Sequence, residues 1–220
     1  NRMGRPFVKR FREERELTMV LALDISASAE FGSLRRTKRE FAAEIAATLA
    51  ISATRSSDKV ALLLFTDQVE LFLPPRKGRR HILRVIREML FHEPKQRGTD
   101  IPSALTFLNH VVRRRAMVFL LTDFLHSYGP SADGRAGSPL PAARPLREGG
   151  AHGVTRPTSA SQRDVIQELG LTNSRHDLVC LHLHDQREST LPNAGLLTIE
   201  DAETGELLEI DSARAGVRER

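Results

Sequence analysis

The fold is decided by a short apolar run, LTMVLALD at residues 17–24, which the acidic residue Asp24 ends. Its length and its branched side chains favour a strand that is buried on both faces. Similar apolar runs stand at residues 60–65 and 116–121, and a further strand is expected at 178–183. Continuous apolar runs are typical of parallel strands that helices cover on both sides. The sequence therefore predicts a sheet of mostly parallel strands.

Helical periodicity separates these strands. The predicted helices cover residues 34–56, 82–90, 104–112 and 164–169. In the first helix, Phe41, Ile45, Leu49 and Ala53 recur every four residues and are expected to form its buried face. A short antiparallel strand, 69–73, is expected at the sheet edge, where Pro74-Pro75 ends it.

A C-terminal hairpin is predicted to pair residues 196–200 with 207–210. Strands that alternate with helices predict an α/β fold with right-handed crossovers and with helices on both faces of the sheet. In such sheets, ligands bind beyond the carboxyl ends of the strands.

The composition excludes several classes of protein. Hydrophobic residues make up 40% and charged residues 28%, which argues against a disordered, collagen-like or membrane-spanning chain. The charge is +5, from 33 basic and 28 acidic residues, but aromatic residues are only 5%, so nucleic-acid binding is not expected. The single Cys180 cannot form an internal disulfide, and a reducing, cytoplasmic location is expected, with any membrane association through a region upstream.

The chain divides into four parts by composition. Residues 1–16 form a basic segment that is expected to end an upstream region, and 17–211 form the domain itself. Residues 129–161 contain 6 Gly and 5 Pro with no Ile, Phe or Met, so they are expected to be a flexible insertion that is dispensable for folding. Residues 212–220 form a tail.

Oxygen-bearing side chains follow the predicted strands. Asp24 and Asp123 each end a strand, Ser26 and Ser28 come directly after Asp24, and Thr99 lies in the loop before the third helix. If the two acidic strands are neighbours, these side chains share one crevice. Singly, they fit turns and helix caps. Jointly, hydroxyl and carboxylate oxygens from three loops are what a hard cation such as Mg²⁺ or Mn²⁺ prefers.

These loops carry a resemblance. Asp24-Ile25-Ser26-Ala27-Ser28, Gly98-Thr99-Asp100 and Leu121-Thr122-Asp123 resemble the metal-ion-dependent adhesion site of von Willebrand factor A domains. The resemblance implies that Ser26, Ser28 and Thr99 are hydroxyl ligands, that Asp24 and Asp123 lie close behind them, and that one coordination position is left for a partner's carboxylate. Ala29 departs from the Met that is frequent there, but it is no ligand.

Segments outside these loops are similar to a bacterial family called domain of unknown function 58. They are residues 11–16, Asp185-Gln186-Arg187-Glu188, 191–195 and Glu203-Thr204-Gly205-Glu206. The resemblance implies a chaperone-like, non-enzymatic interaction module that acts with a MoxR-type AAA+ ATPase in the assembly, activation or metal loading of a client with an acidic residue. Arg97 and Asp100 are expected at the partner-binding rim, with Arg76 to Arg80 steering an acidic surface toward the strand ends.

Two alternatives stay open. Asp100 or His126 could act as the general base of a metal-dependent phosphoester hydrolase, although the phosphate-loop, nucleophile-turn and dinucleotide motifs are absent from the sequence. Cys180, His182 and His184 alternate along a predicted strand and could form a small metal cluster. Packing beneath a helix or near the strand end is the favoured interpretation of these three residues, because no fourth ligand has suitable spacing.

Overall fold

The structure is a computed structural model that describes residues 16–33, 36–124, 165–189, 192–200, 205 and 207–213. Its elements, in chain order, are β1 Thr18–Asp24, a 3₁₀ helix Ala27–Glu30, α1 Lys38–Arg55, β2 Lys59–Phe65, β3 Val69–Arg76, α2 Arg79–Phe91, α3 Ile101–Val111, β4 Met117–Thr122, α4 Val165–Arg175, β5 Asp177–His182, α5 Gln186–Ser189, β6 Leu196–Glu200 and β7 Leu207–Asp211. The predicted insertion 129–161, residue His126 and most of both terminal segments lie outside the described residues. Among the helices in this part of the chain, none combines the length and apolar character that a bilayer crossing needs.

The central sheet has the strand order β3-β2-β1-β4-β5. Strand β1 pairs in parallel with both β2 and β4, and β4 pairs in parallel with β5. Strand β3 is antiparallel to β2 and lies at one edge. The predicted α/β fold with a mostly parallel sheet and an antiparallel edge strand is confirmed, and the carboxyl ends of β1 and β4 are neighbours.

Alternate residues of the strands feed two separate cores. Leu21, Leu23, Leu62 and Leu64 pack on one face, against α1 and α2. Val20, Leu63 and Leu120 pack on the other face, against α3, with α4 beside it. Burial of each such Leu side chain contributes about 2 kcal/mol. This arrangement confirms the helices on both faces and holds the strand ends in fixed positions.

The buried face of α1 differs from the predicted one. Phe41 is 52% exposed, and Ala42, Ala46 and Ala50 fill the core side of the helix instead. Their small side chains let α1 lie close to the sheet, while Ile45 and Leu49 are only partly buried at its flank. Ala53 is buried as predicted, and with Ala43 it completes a stripe whose members recur every three or four residues.

Several element boundaries also differ from prediction; α2 and α3, for example, each begin three residues earlier, at Arg79 and Ile101. Helix α1 begins at Lys38, because Thr37 and Glu40 form a reciprocal capping box. Strand β3 continues through Pro74-Pro75 to Arg76 with an irregular register, as prolines allow at a sheet edge. Helix α4 runs on to Arg175, past the exposed Gly170.

The basic cluster at Arg76 to Arg80 lies away from the predicted site. Arg76 pairs with Val60 near the start of β2, whereas the carboxyl end of β2 pairs with Val69. The antiparallel direction of β3 therefore carries this cluster to the amino ends of the parallel strands. The expectation that these arginines steer a partner toward the strand ends was wrong.

The predicted C-terminal hairpin is confirmed as a separate two-stranded sheet of β6 and β7. The backbone N–H of Ser212 donates to the carbonyl oxygen of Gly195 over 2.8 Å, and the Ser212 hydroxyl donates to the same oxygen over 2.7 Å. These bonds join the two open ends of the hairpin.

A buried histidine at the start of β5 gives a first testable prediction. His176 is 2% exposed, and in the described part of the chain neither ring nitrogen has a hydrogen-bond partner. Burial, with the charges of Arg175 and Arg115, lowers the pKa of His176, while Asp177 opposes this shift. We expect His176→Leu to raise the free energy of unfolding by about 1 kcal/mol at neutral pH, because an unpaired buried polar group is costly.

The difference in the free energy of unfolding between His176→Leu and wild type should grow as the pH falls. Below the ordinary histidine pKa of 6.5 the unfolded chain binds a proton that the folded chain refuses, so wild-type stability declines with falling pH. Denaturant unfolding at pH 7.5 and pH 5.5 measures both effects, with the exposed His110→Gln as control. A His176→Leu variant that is less stable at both pH values would contradict the prediction.

Candidate cation site at the strand ends

The predicted site residues gather where β1 and β4 leave the sheet. Leu23 of β1 pairs with Leu121 of β4, so Asp24 comes level with Thr122. The Thr122 hydroxyl donates a hydrogen bond to Asp24 Oδ2 over 2.7 Å. The loops that carry the two acidic residues therefore meet, as their positions in the sequence predicted. The contact is made by Thr122, to which the sequence assigned no role.

Asp24 is a buried carboxylate in a fixed orientation. Its side chain is nearly inaccessible, and Oδ1 accepts the backbone N–H of Ser26 over 2.9 Å. Burial raises the pKa of Asp24 to about 6 against the effect of these hydrogen bonds, and the charge of Asp123 adds to the rise. The carboxylate is thus held by neutral donors at a place where a positive charge would be favourable.

The two serines after Asp24 also lie together. Ser26 is fully buried, Ser28 is half-buried, and their hydroxyl groups form a hydrogen bond with the Oγ atoms 3.0 Å apart. Ligands about 2.1 Å from an octahedral Mg²⁺ stand about 3.0 Å from their nearest neighbours. The spacing of this hydroxyl pair therefore fits two adjacent positions around such an ion.

Thr99 reaches the same end of the sheet through its loop. The backbone N–H of Ala27 donates to the Arg97 carbonyl, and that of Asp100 donates to the Thr66 carbonyl, each over 2.9 Å. These bonds tie the Thr99 loop to the serine loop on one side and to the end of β2 on the other. Thr99 itself is 2% exposed.

Asp123 carries a partner that the sequence analysis missed. Lys38 Nζ, at the first residue of α1, donates to Asp123 Oδ2 over 2.6 Å and also pairs with Glu188 Oε1. Burial opposes the charge of Lys38, but the two carboxylates outweigh burial and raise the pKa of Lys38 above its ordinary value. Lys38 and Asp123 are both nearly inaccessible, so this is a buried ion pair.

A second missed contact involves the segment after β5. Asp185 accepts the backbone N–H of Ser33 over 2.9 Å and the Ser33 hydroxyl over 2.5 Å. These hydrogen bonds and that of the Arg187 backbone lower the pKa of Asp185 to about 2. The Ser33 contacts fasten residues 185–188 to the loop that follows the serine pair, and the Lys38–Glu188 pair fastens them to the start of α1.

The two expected partner-binding residues differ in their surroundings. The carboxylate of Asp100 caps α3, where it accepts the Ser103 backbone N–H over 2.9 Å and the Ser103 hydroxyl over 2.7 Å. The helix-capping role that the sequence suggested for Thr99 belongs to Asp100. Arg97 lines an open cleft of about 490 Å³ with Ala27, Glu30, Pro94, Lys95, Gln96 and Glu200.

The two histidines of the Cys180 group lie near the strand end, which was one of the two favoured placements: His182 is the last residue of β5, and His184 follows two residues later. Cys180 and His182 both lie on β5, and no helix of the described residues covers them. His184 lies beyond the strand, where its Nδ1 is 3.3 Å from Glu188 Oε2. Burial of part of the Cys180 thiol raises its pKa. No cluster of three or more His, Cys, Asp or Glu that could hold a metal occurs among the described residues.

The predicted ligand set at the strand ends suits a hard cation better than the Cys180 group does. Its members are Ser26, Ser28, Thr99, Asp24 and Asp123. It has two carboxylates and three hydroxyl groups, and the Ser26–Ser28 spacing and the buried Asp24 carboxylate both suit such an ion. Asp123 differs in that Lys38 already supplies it with a positive charge.

Comparisons with known proteins place the chain among relatives of unassigned activity. A family model described as "Protein of unknown function DUF58" matches residues 1–220. The chain is 27% identical over 230 residues to the uncharacterized proteins Mb1516 of Mycobacterium bovis and Rv1480 of Mycobacterium tuberculosis. These alignments cover 100% of the chain and 61% of each relative.

A solved structure shares the fold. The crystal structure of the conserved hypothetical protein BatB from Bacteroides thetaiotaomicron aligns with a TM-score of 0.51 at 13% identity. The alignment covers 92% of this chain and 83% of that one.

Proposed function

The chain belongs to the DUF58 family, and from this premise and the site geometry we propose that it is a metal-dependent protein interaction module with a von Willebrand factor A-like fold. The ion is Mg²⁺ or Mn²⁺. Ser26, Ser28 and Thr99 hold it, with Asp24 and Asp123 behind them. The observation that carries the proposal is the hydroxyl pair, 3.0 Å apart, directly beside a buried and oriented carboxylate.

A bound cation would supply a positive centre for a partner's carboxylate. Hydroxyl ligands are neutral, so an ion held largely by them keeps a net attraction for another anion. Arg97 lines the cleft beside Ala27, together with Lys95, Glu30 and Glu200, and would pair there with an acidic group of the partner. We propose that the partner is a MoxR-type AAA+ ATPase, or a client that this ATPase remodels, presenting an acidic side chain.

A hydrolase that uses the same site has less support. The carboxylate of Asp100, one of the two bases such a reaction would use, is engaged by Ser103 at the start of α3. A general base must reach the proton that it abstracts, and a helix cap holds Asp100 away from that task. The binding module therefore remains the proposal.

Association with the ATPase tests the proposal. In Mg²⁺, the chain should bind its MoxR-type partner, and EDTA or Thr99→Ala should weaken binding at least about tenfold, which corresponds to roughly 1.4 kcal/mol. Thr48→Ala, at an exposed position on α1, is the matched control and should bind as wild type does. Thermal unfolding checks that Thr99→Ala is folded. Association that is indifferent to both EDTA and Thr99→Ala would exclude the strand ends as the interface.

A further inference from the structure

Lys38 stands where a lysine is unexpected. Lysine is almost never fully buried without a partner, yet Lys38 is only 5% exposed. It is also the first residue of α1, and the amino end of a helix disfavours a positive charge. Both costs are offset by its contacts with Asp123 and Glu188, so the position of this ammonium depends on those two carboxylates.

The charges around Lys38 belong to the candidate cation site. Asp123 is one of the proposed supporting acids, and its charge acts on the buried Asp24. Glu188 adds a third carboxylate and is 23% exposed in its side chain, whereas Asp123 is 3% exposed. Lys38 therefore compensates negative charge at the place where the proposed ion would do so.

We propose that Lys38 is an internal counter-cation that competes with the divalent ion for Asp123, and that Glu188 draws the ammonium away from Asp123. This inference rests on the proposed function, because it concerns the same metal site. Like charges repel most strongly where water is excluded, and the Lys38–Asp123 pair is buried. In this proposal Lys38 lowers the affinity of the site for the ion. Because Lys38 also pairs with Glu188, that affinity depends on residues 185–188.

Substitutions of Lys38 and Glu188, the two residues that share this ion-pair network with Asp123, should change the affinity for the divalent ion in opposite directions. Lys38→Met removes the competing ammonium and should tighten Mn²⁺ binding at least about tenfold, because the charge of Asp123 is then no longer compensated by Lys38. Glu188→Gln should weaken ion binding about threefold or more. Lys38 would then pair with Asp123 alone, and the region would carry less negative charge. Isothermal calorimetry with Mn²⁺ and with Mg²⁺ measures both variants against wild type.

The control separates a local effect from a change in net charge. Lys59→Met removes the same charge at the start of β2, where Lys59 pairs with Glu16 at the opposite end of the sheet. It should leave the affinity for the ion unchanged. Tighter binding in Lys59→Met to the extent seen in Lys38→Met would overturn the proposal.

Thermal unfolding separates counter-cation competition from a purely structural role. In EDTA, Lys38→Met should unfold at a lower temperature than wild type, because its carboxylates are uncompensated. Saturating Mg²⁺ should restore most of that loss. A salt bridge that only stabilises the fold would lower the melting temperature equally with and without the ion, and that result would overturn the proposal.

The outcomes also distinguish this inference from the proposed function. If wild type binds the ion and Lys38→Met binds it no more tightly, the inference fails and the metal site stands. If neither protein binds Mn²⁺ or Mg²⁺, both proposals fail. If Lys38→Met fails to fold, Glu188→Gln decides alone: weaker binding supports the proposal, and unchanged or tighter binding overturns it.

Discussion

The Asp24→Asn variant is expected to lose Mg²⁺ and Mn²⁺ binding by a factor of about 100 or more, the largest effect of any single substitution at the site. The side chain lies in the interior, where the attraction between a carboxylate and a divalent ion is screened far less than in water. An amide has the same shape but no charge. The ion would then have Asp123 as its remaining proposed carboxylate, and Lys38 already pairs with that group.

The same variant should stay folded. An asparagine oxygen can still accept the Ser26 N–H, and the Thr122 hydroxyl can reorient to accept from the amide. Because burial raises the pKa of Asp24 to about 6, the charged form is costly in the folded chain, and the amide removes that cost. In EDTA, Asp24→Asn should therefore unfold at a temperature no lower than wild type.

Calorimetry in chelator-treated buffer measures the loss, and Asp58→Asn is the matched control. Asp58 accepts the Leu17 N–H near the amino end of β1, so its replacement changes the charge equally but far from the strand ends. Equal ion affinity in wild type and Asp24→Asn would remove Asp24 from the site. A loss of similar size in Asp58→Asn would assign the effect to net charge.

The sheet could be predicted because its signal is local. A parallel strand that is buried on both faces consists of adjacent apolar residues, so the run at 17–24 identified β1 without knowledge of its neighbours. The stripe of α1 was less informative, because alanine is weakly apolar and the larger Phe41 drew attention to the wrong side. Which face of a helix is buried depends on how closely it approaches the sheet.

The candidate site was predictable only where its contacts are local. Ser26 bonds to Asp24 two residues away, and the pattern of these residues points to the strand end. Lys38 lies 85 residues from Asp123 and 150 from Glu188, and no sequence period links them. A lysine at a helix start resembles any solvated residue. The segment Asp185-Gln186-Arg187-Glu188 stood out only as a family resemblance, and its contacts with Ser33 and Lys38 emerge from the fold.

The turn between the serine pair and α1 depends on the absence of a side chain at Gly32. A Cβ atom there would stand 2.4 Å from the Arg36 carbonyl oxygen and 2.7 Å from the Thr37 Cα, both on the backbone. The backbone N–H of Lys38 donates to the Phe31 carbonyl over 2.9 Å, which fixes the turn at its other side. Neither backbone atom can move aside as the tip of a flexible side chain could.

Gly32→Ala should therefore destabilise the protein by about 2 kcal/mol, the range for a group forced into a packed position. Gly170→Ala is the matched control, because Gly170 lies in α4 and a Cβ there would meet no atom of another described element within 4 Å. Alanine is favoured over glycine inside a helix, so the control should gain about 0.5–1 kcal/mol. Denaturant unfolding measures both variants. The free energy of unfolding should therefore fall in Gly32→Ala and rise in Gly170→Ala. A change of the same sign and size in both variants would mean that the turn accommodates a side chain at Gly32.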